Sequence, residues 1–293
     1  MPPPSSLSKN GRPIFGCWRF ARRGTLRLHT QPENPMNFSK LHHQPHPLLI
    51  ANVWDVASAL AAENAGYQAM GTSSAAIAAM LGYADGEGLP FAELRYLVSR
   101  IRACTSLPLS VDMEAGYADC VDGIVENLLQ LRALGVVGVN LEDSRVHNGV
   151  RRLIDTDCFA HQLREIHKAL NASGCPLFLN VRTDAFLLGL PDALQVTLSR
   201  IAHYAANGAD GLFVPCVHRL QDIATLVQQT TLPLNVMAVP DLADFATLTE
   251  LGVRRISMGN AVHSAIQTRL NDLLLTLRHQ PSFAGVFDDE SHR

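Results

Sequence analysis

Residues 109–117 read LSVDMEAGY, a short apolar, strand-like run that ends in two carboxylates and then a glycine. Alternate residues of a strand point to the same side, so Asp112 and Glu114 can face one shared site. A second apolar run, GVNL at 138–141, ends in the same way in the acidic pair 142–143. Acids at two such strand ends predict a site for a hard cation such as Mg²⁺, which prefers oxygen ligands. The alternative is that these acids cap the helices that follow.

Outside this stretch, the chain alternates short apolar runs with segments of helical period. Glycines near the ends of the helical segments support the breaks, because glycine accepts the left-handed conformation that ends a helix. The apolar runs are mostly continuous, as expected for strands covered on both faces. Eight such units predict an α/β fold, a single-domain (β/α)₈ barrel of the TIM type, with an open doubly wound sheet as the alternative. The predicted strands are 48–53, 68–71, 107–111, 136–141, 176–181, 210–214, 233–238 and 254–258, and the predicted helices are 55–66, 90–104, 120–134, 157–172, 191–207, 219–229, 241–251 and 260–278.

The composition excludes several classes of protein. The 293 residues are 47% hydrophobic and 17% charged, enough apolar material for a large core, and the net charge of −3 gives no reason to expect nucleic acid or an anionic membrane as a partner. No apolar run approaches the roughly 18 to 20 residues of a membrane span. Six cysteines without metal-ligand spacing indicate reduced thiols in a cytoplasmic protein. None of the three lysines ends a strand-like run, which argues against Schiff-base and pyridoxal-phosphate chemistry.

Residues 1–35 differ from the rest of the chain, being Pro-rich at the start and then rich in arginine with a single acid. Such a segment is typical of an organellar transit peptide, but a start codon chosen too far upstream explains it better, since Met36 precedes the folded region directly. We therefore expect an N-terminal extension at 1–35 and one barrel domain at 36–293.

Polar residues concentrate at the carboxyl ends of the predicted strands, where the chemistry of such barrels takes place. A core-packing explanation predicts no such concentration. The strand-end residues are Trp54, Asp55, Thr72, Ser73, Ser74, Asp112, Glu114, Glu142, Asp143, Arg182, Asp184, Pro215, Cys216, Asn235, Gly259 and Asn260.

Seven short segments of the chain resemble motifs of the isocitrate lyase / phosphoenolpyruvate mutase superfamily. The matching segments are WDVASA (54–59), GTSS (71–74), GYADG (82–86), VDMEAGY (111–117), GVNLED (138–143), NVRTD (180–184) and RISMG (255–259), and together they span nearly the whole chain. The resemblance implies a Mg²⁺ enzyme that acts on a 2-oxo or 2-hydroxy acid through an enolpyruvate-like anion. It implies subunits that exchange their final helix and form homo-oligomers.

The resemblance also implies a role for individual residues. Asp112 would hold the metal most directly, while Asp85, Glu114 and Glu142 would hold its water molecules. Ser73, Ser74 and the adjacent backbone N–H groups would bind the substrate carboxylate, and Arg182 would clamp its other oxygens. A divalent ion and an arginine are suited to stabilising an enolate as it forms.

The chain departs from the superfamily after the predicted strand 136–141 and its acidic pair 142–143. The lyases carry a Lys-Lys/Arg-Cys-Gly-His loop whose cysteine supplies the catalytic proton, whereas this chain reads SRVHNGVRR at 144–152. The longer loop of the mutases and phosphonopyruvate hydrolases is missing too, as is the aromatic residue that mutases place before the serine pair. His147 is the loop residue with a pKa suited to general acid catalysis near neutral pH, although a lone loop histidine is usually only solvated.

We therefore expect a Mg²⁺-dependent carbon–carbon lyase or decarboxylase for a small 2-oxo- or 2-hydroxy-(di)carboxylate. The alternatives are an enzyme of the phosphoenolpyruvate mutase or phosphonopyruvate hydrolase type and a non-catalytic barrel that binds a carboxylate.

Several candidate residues have simpler explanations that the sequence leaves open. Asp85 suits a turn without any metal, and Arg182 could pair with Glu142 across the barrel. Asn235 ends an apolar strand and could equally bind ligand or backbone. Cys216 is more typical of a packing residue than of a nucleophile. Asp143 and Asp184 are more typical of supporting or capping groups.

The helical segment 261–277 carries the apolar stripe Ile266, Leu270, Leu273, Leu274 and Leu277, which fits a helix that packs on its own barrel or on a neighbouring subunit.

Overall fold

The computed structural model describes residues 35–280 and 282–287; the predictions made for residues 1–34 lie outside them. A parallel sheet of nine strands, in the order β1-β11-β10-β9-β8-β5-β4-β3-β2, alternates with helices. The strands are β1 Leu48–Leu49, β2 Ala51–Val53, β3 Met70–Thr72, β4 Leu109–Asp112, β5 Gly138–Glu142, β6 Ser144–His147, β7 Val150–Leu153, β8 Phe178–Arg182, β9 Gly211–Phe213, β10 Leu234–Met237 and β11 Arg255–Ser257. The helices are α1 Pro35–Lys40, α2 Val56–Asn64, α3 Ser74–Leu81, α4 Phe91–Arg102, α5 Val121–Ala133, α6 Thr156–Ala172, α7 Ala193–Ala206, α8 Leu220–Gln228, α9 Phe245–Glu250, α10 Ala261–His279 and α11 Ala284–Phe287.

The two end strands of this sheet, β1 and β2, are halves of one barrel strand. Leu48 of β1 lies opposite Arg255 of β11, while Ala51 of β2 lies opposite Met70 of β3. Between the halves, Ile50 donates its N–H to the carbonyl of Ile256 at 3.0 Å. The sheet therefore closes on itself into eight barrel strands, which confirms the predicted (β/α)₈ barrel. Exchange of the final helix between subunits stays a prediction.

The structure adds three helices, α1, α3 and α11, and one hairpin that the sequence pattern did not predict. Helix α3 begins one residue after β3, at Ser74, and its sequence SAAIAAML is almost entirely apolar, so it shows no helical alternation of polar and apolar residues. The hairpin consists of β6 and β7, which pair antiparallel around Asn148 and Gly149. Both turn residues have positive φ, 51° and 74°. An Asn-Gly pair between two short strands is the usual signal for such a turn, so the hairpin was readable from the sequence.

The two faces of the barrel strands differ sharply in polarity. Val111, Val139 and Val181 lie in the main hydrophobic core and are fully buried. The alternate residues point into the barrel, where Asn180 donates to both Asn140 (2.8 Å) and Asn235 (3.1 Å). Barrel interiors are usually filled by branched apolar side chains. The amide chain is therefore an unusual floor for the site above it.

A short N-terminal segment closes the opposite end of the barrel. Phe38 of α1 packs at the starts of the strands with Leu48, Ile50 and Phe178. His42, in a 3₁₀ turn at Leu41–His43, stacks on the Phe178 ring with 4.3 Å between the centroids.

Within residues 35–280 and 282–287, no helix is both long enough and apolar enough to cross a membrane.

Candidate active site

Asp112 ends β4 and lies under the N-terminus of α3. Its Oδ2 accepts hydrogen bonds from the hydroxyl (2.7 Å) and the backbone N–H (3.3 Å) of Ser74. Its backbone N–H donates to the hydroxyl of Thr72 at 2.8 Å, which fixes the strand end. The second oxygen, Oδ1, is buried and has no partner among the described residues. An unpartnered carboxylate oxygen inside a protein is costly, so this atom is available for a cation or a water molecule.

Glu114 lies two residues further on, in a strained loop. Its Oε1 accepts from the Tyr117 hydroxyl (2.7 Å) and its Oε2 from the Glu87 backbone N–H (2.5 Å). Glu87 in turn accepts from the backbone N–H of Tyr117 at 2.6 Å. All three residues have positive φ, between 46° and 63°. Non-glycine residues in this conformation are held by their surroundings and cluster at functional sites.

Glu142 and Arg182 end the adjacent strands β5 and β8 and lie opposite each other in register. Arg182 Nη1 is 3.0 Å from Glu142 Oε2, an ion pair without hydrogen-bond geometry. Arg182 Nε and Nη2 donate to the two oxygens of Asp184 at 2.6 and 3.2 Å. The pairing of Arg182 with Glu142, an alternative that the sequence left open, is therefore present. Asp184 supports the guanidinium from behind and is fully buried.

Arg151, on strand β7 of the hairpin, is a site residue that the sequence did not predict. Its guanidinium contacts Glu142 Oε1 and donates to Ser144 Oγ (2.9 Å) and Asp184 Oδ2 (3.2 Å). It also lies 3.8 Å from Asp85, in the loop after α3. The hairpin follows the acidic pair 142–143 in sequence, and it brings a fixed positive charge to the site.

The carboxylates of this cluster repel one another and are partly desolvated. Burial raises the pKa of Glu114 to about 7; Tyr117 opposes this shift and Asp112 adds to it. Burial also raises the pKa of Glu142, with Arg182 opposing, and the pKa of Asp85, with Asp112 adding to the rise. Arg151 and Arg182 pair with acids of this cluster, and Arg255 interacts with Asp112 from below, so among the described residues five acids, Asp85, Asp112, Glu114, Glu142 and Asp184, face three bases. The site therefore favours additional positive charge.

The donor set fits a magnesium ion held largely through water. In the described part of the chain, no three acidic, cysteine or histidine side chains converge closely enough to ligate one ion together. The free Asp112 Oδ1 offers one direct ligand, and the surrounding carboxylates can accept hydrogen bonds from water. Mg²⁺ dehydrates reluctantly and is commonly bound through one or two carboxylates with several waters retained.

A cavity of about 200 Å³ opens beside Asp112 and is lined also by Ser73, Ser74, Asn140 and Arg182. The Ser73 hydroxyl accepts from the backbone N–H of Ala76 at 3.3 Å and so caps α3. Both Ser74 donors are used by Asp112. The predicted carboxylate-binding serines thus line the cavity, and Ser74 also orients the predicted metal ligand.

Four of the other candidate residues lie away from this cavity, whereas Asp85, Pro215, Gly259 and Asn260 line it. Asn235 is fully buried in the barrel, where its amide donates to the carbonyl of Val236 (2.7 Å) and the Ser257 hydroxyl (3.1 Å). His147 is exposed at the end of β6, next to the hairpin turn. Cys216 is half-buried, and burial raises the pKa of its thiol, which disfavours the nucleophilic thiolate. Asp143 accepts from Arg200 (3.0 Å) and Tyr204 (2.7 Å) and supports the strand ends from outside the barrel.

Comparison with known proteins assigns the family. The family model for phosphoenolpyruvate phosphomutase matches residues 38–277, and the chain belongs to this family. An uncharacterised protein of Mycobacterium tuberculosis (strain CDC 1551 / Oshkosh) is 34% identical over 230 residues, 78% of this chain and 84% of that protein. The oxaloacetate decarboxylase of Pseudomonas savastanoi pv. phaseolicola (strain 1448A / Race 6) is 27% identical over 221 residues, 73% of this chain and 74% of that enzyme.

Among solved structures, a phosphonomutase candidate from Burkholderia cenocepacia J2315 superimposes with a TM-score of 0.78 at 37% identity, over 83% of this chain and 99% of that one. The resemblance found in the sequence motifs is therefore confirmed at the level of the superfamily.

Proposed function

We propose that this protein is a Mg²⁺-dependent carbon–carbon lyase or decarboxylase that acts on a small 2-oxo- or 2-hydroxy-dicarboxylate through an enolpyruvate-like anion. The observation that carries the proposal is the unpartnered Oδ1 of Asp112, at the edge of a cavity that also exposes Arg182. Asp112 Oδ1 can bind a cation and the Arg182 guanidinium can bind an anion. Together they suit an oxo acid that chelates the cation and presents a carboxylate to the arginine. The likeness to an oxaloacetate decarboxylase supports the same class of reaction.

The acidic residues would hold the metal ion and its waters, and the basic and N–H groups would bind the carboxylates of the substrate. Asp112 would hold the metal directly, with Asp85, Glu114 and Glu142 holding its waters. When bound, Mg²⁺ would polarise the 2-oxo group and stabilise the negative charge of the enolate. Arg182, locked by Asp184, would hold a carboxylate oxygen in a fixed orientation. Ser73 and the N-terminal N–H groups of α3 that follow Ser74 would receive the other carboxylate, while Ser74, whose two donors bind Asp112, would orient that metal ligand.

The final protonation of the enolate needs a donor. His147 is our candidate for this role, because it lies on the hairpin that replaces the cysteine loop. Its exposed position beside the Asn148-Gly149 turn requires the hairpin to bend toward the cavity during the reaction. Replacing His147 by Gln should then slow product formation but leave substrate binding unchanged.

A substrate panel tests the proposal. Oxaloacetate, 2-alkylmalates, methylisocitrate and phosphonopyruvate should be assayed with Mg²⁺ and with EDTA. We expect turnover of at least one dicarboxylate, abolished by EDTA. If the protein binds the metal but turns over none of the four substrates, the proposed lyase activity is refuted. The alternative of a non-catalytic barrel that binds a carboxylate would then remain.

A second candidate function is that of a phosphoenolpyruvate mutase or phosphonopyruvate hydrolase. The likeness to the Burkholderia phosphonomutase candidate favours it. The panel separates the two, since this alternative predicts turnover of phosphonopyruvate and none of the malates.

We further propose that the protein works in the cytoplasm as a homo-oligomer.

A further inference from the structure

Arg255 is a buried charged residue that the proposed chemistry does not yet use. It lies on β11 with its side chain inside the barrel and is 2% exposed. Its Nη2 donates a long hydrogen bond of 3.4 Å to Asn140 Oδ1. Its Nε and Nη1 have no partner among the described residues. Burying a charged group without full hydrogen bonding is costly, and an apolar residue of similar size at such a position is often neutral or stabilising.

The contact with Asn140 connects Arg255 to the cavity. Asn140 Oδ1 accepts from two donors on the interior side, Asn180 Nδ2 at 2.8 Å and Arg255 Nη2 at 3.4 Å. Asn180 also donates to Asn235 Oδ1, which fixes its own orientation. With its oxygen held in this way, the Asn140 amide can place only its NH₂ group toward the cavity that it lines.

We propose that Asn140 is a ligand-binding residue of this cavity and that Arg255 is its positioning residue. The NH₂ group of Asn140 donates to an anionic oxygen of the bound carboxylate or enolate, while Arg255 fixes the amide and adds positive charge beneath it. This inference rests on the proposed function for the class of ligand. It adds a group that binds anions at the floor of the cavity that Arg182 also lines.

Two further features agree with this assignment. Burial lowers the pKa of Arg255 to about 10, and Asp112 opposes the shift, so the guanidinium stays charged at neutral pH. The polar groups around it are inward-facing residues of four different strands, β5, β8, β10 and β11, at positions where a barrel is normally apolar. A stability requirement does not explain an unpaired charge there, whereas a requirement to bind an anion does.

The test is calorimetric binding of oxalate, a planar dianion similar in shape to the enolate of pyruvate, in Mg²⁺ and without turnover. We expect Asn140→Ala to weaken oxalate binding about 10-fold, and Asn140→Asp about 30-fold or more because it replaces a donor by a charge of the wrong sign. Arg255→Met should weaken it about 10-fold and Arg255→Lys less. Arg254→Met, which removes the exposed arginine next in sequence, should bind oxalate as the wild type does.

Stability separates positioning from folding. The melting temperature of Arg255→Met should equal or exceed that of the wild type, since an unpaired buried charge is removed. If Arg255→Met fails to fold, Arg255→Lys and Asn140→Asp decide the matter. Wild-type oxalate affinity in the Asn140 variants, or no oxalate binding by the wild type, would overturn the inference. Unchanged affinity in the Arg255 variants alone would overturn the positioning role. Oxalate binding without turnover in the substrate panel would refute the proposed lyase and leave the inference intact.

Discussion

Asp112 is the single residue on which the proposed metal site depends most. Asp112→Asn keeps the shape of the side chain and its contact with Ser74 but removes the charge of the direct ligand. We expect metal-dependent turnover to fall at least about 1,000-fold and Mg²⁺ binding to be lost. The free energy of unfolding without metal should hold or rise, because Glu114 and Asp85 lose a repelling neighbour. Turnover assays, metal titration and urea unfolding provide the three readouts.

A second strand-end aspartate provides the control for this prediction. Asp55 follows β2 and caps α2, accepting from the Ser58 backbone N–H at 2.7 Å. Asp55→Asn should retain full metal-dependent turnover. If Asp112→Asn or Asp112→Ala unfolded the protein, or left turnover within about threefold, Asp112 would be a structural cap like Asp55 and not a metal ligand.

Residues at strand ends were predictable because strand alternation and barrel topology together define where they point. Asp112, Glu114, Glu142 and Arg182 are of this kind, and the structure brings them to one rim. Arg151 was not predictable, because its place depends on a hairpin that folds back over the site. Arg255 was not predictable either, since an arginine at a strand start is normally taken as solvated and this one is buried by the curvature of the whole barrel.

At the scale of elements, the loop after α3 and the hairpin meet at one glycine. Gly86 has φ of +96°, and a Cβ there would overlap with Val146 Cγ2. Gly86→Ala should push the hairpin from the loop and separate Arg151 from Asp85. We expect turnover to fall about 10-fold or more and stability by about 1 kcal/mol. Adding Val146→Ala should recover part of the activity.

Gly66→Ala is the matched control, because Gly66 has φ of +80° with no atom within 4 Å of the added Cβ. It should show a similar loss of stability in urea and no loss of turnover. Equal turnover in Gly66→Ala and Gly86→Ala would show that the contact between loop and hairpin is not needed for activity.

The N-terminal segment that closes the barrel should make stability depend on pH. Burial lowers the pKa of His42 from 6.5 to about 3, and the charge of Arg255 adds to this shift. The neutral ring donates from Nδ1 to the carbonyl of Phe38 at 3.1 Å. Because the folded-state pKa is the lower one, the unfolded chain binds the proton first. Stability is thus fully present above about pH 6.5 and lost as pH falls toward 3.

The expected loss from this one group is roughly 2 kcal/mol between pH 7 and pH 5, measured by urea unfolding. His42→Phe, which keeps an aromatic ring against Phe178, should flatten that part of the profile. His43→Phe, at the exposed neighbouring position, should leave it unchanged. A steep profile in His42→Phe would assign the acid sensitivity to other groups.

Helices and strands could be predicted from the sequence where they carry a clear local pattern of apolar and polar residues. The eight strands and their crossover helices were recovered because apolar runs and helical periods alternate cleanly along the chain. Helix α3 was missed because it is short and almost entirely apolar, so it has no polar face to give a helical period. The hairpin was missed because its strands are polar and short, and only the Asn148-Gly149 pair marked it.

At the scale of the whole molecule, helix α10 leaves an apolar face that no other described part of the chain covers. In the described chain, α10 buries His263, against Trp54, while Val262, Ile266, Leu270 and Leu274 are each 42–56% exposed at intervals of four residues. A neighbouring apolar cavity of about 540 Å³ between α2 and α10 is lined in part by Ala61 and Ala65. The apolar stripe of α10 and this apolar groove lie on the same surface. Such a surface suits association with a second copy of the chain.

We therefore expect light scattering at micromolar concentration to give a dimer or tetramer. Leu270→Glu should shift the protein to a smaller species, because burying a leucine contributes about 2 kcal/mol and is repeated at each symmetric contact. Phe245→Glu, on α9 with a side chain of similar exposure, should leave the assembly unchanged. A wild-type monomer, or an assembly that survives Leu270→Glu, would show that this face of α10 does not hold subunits together.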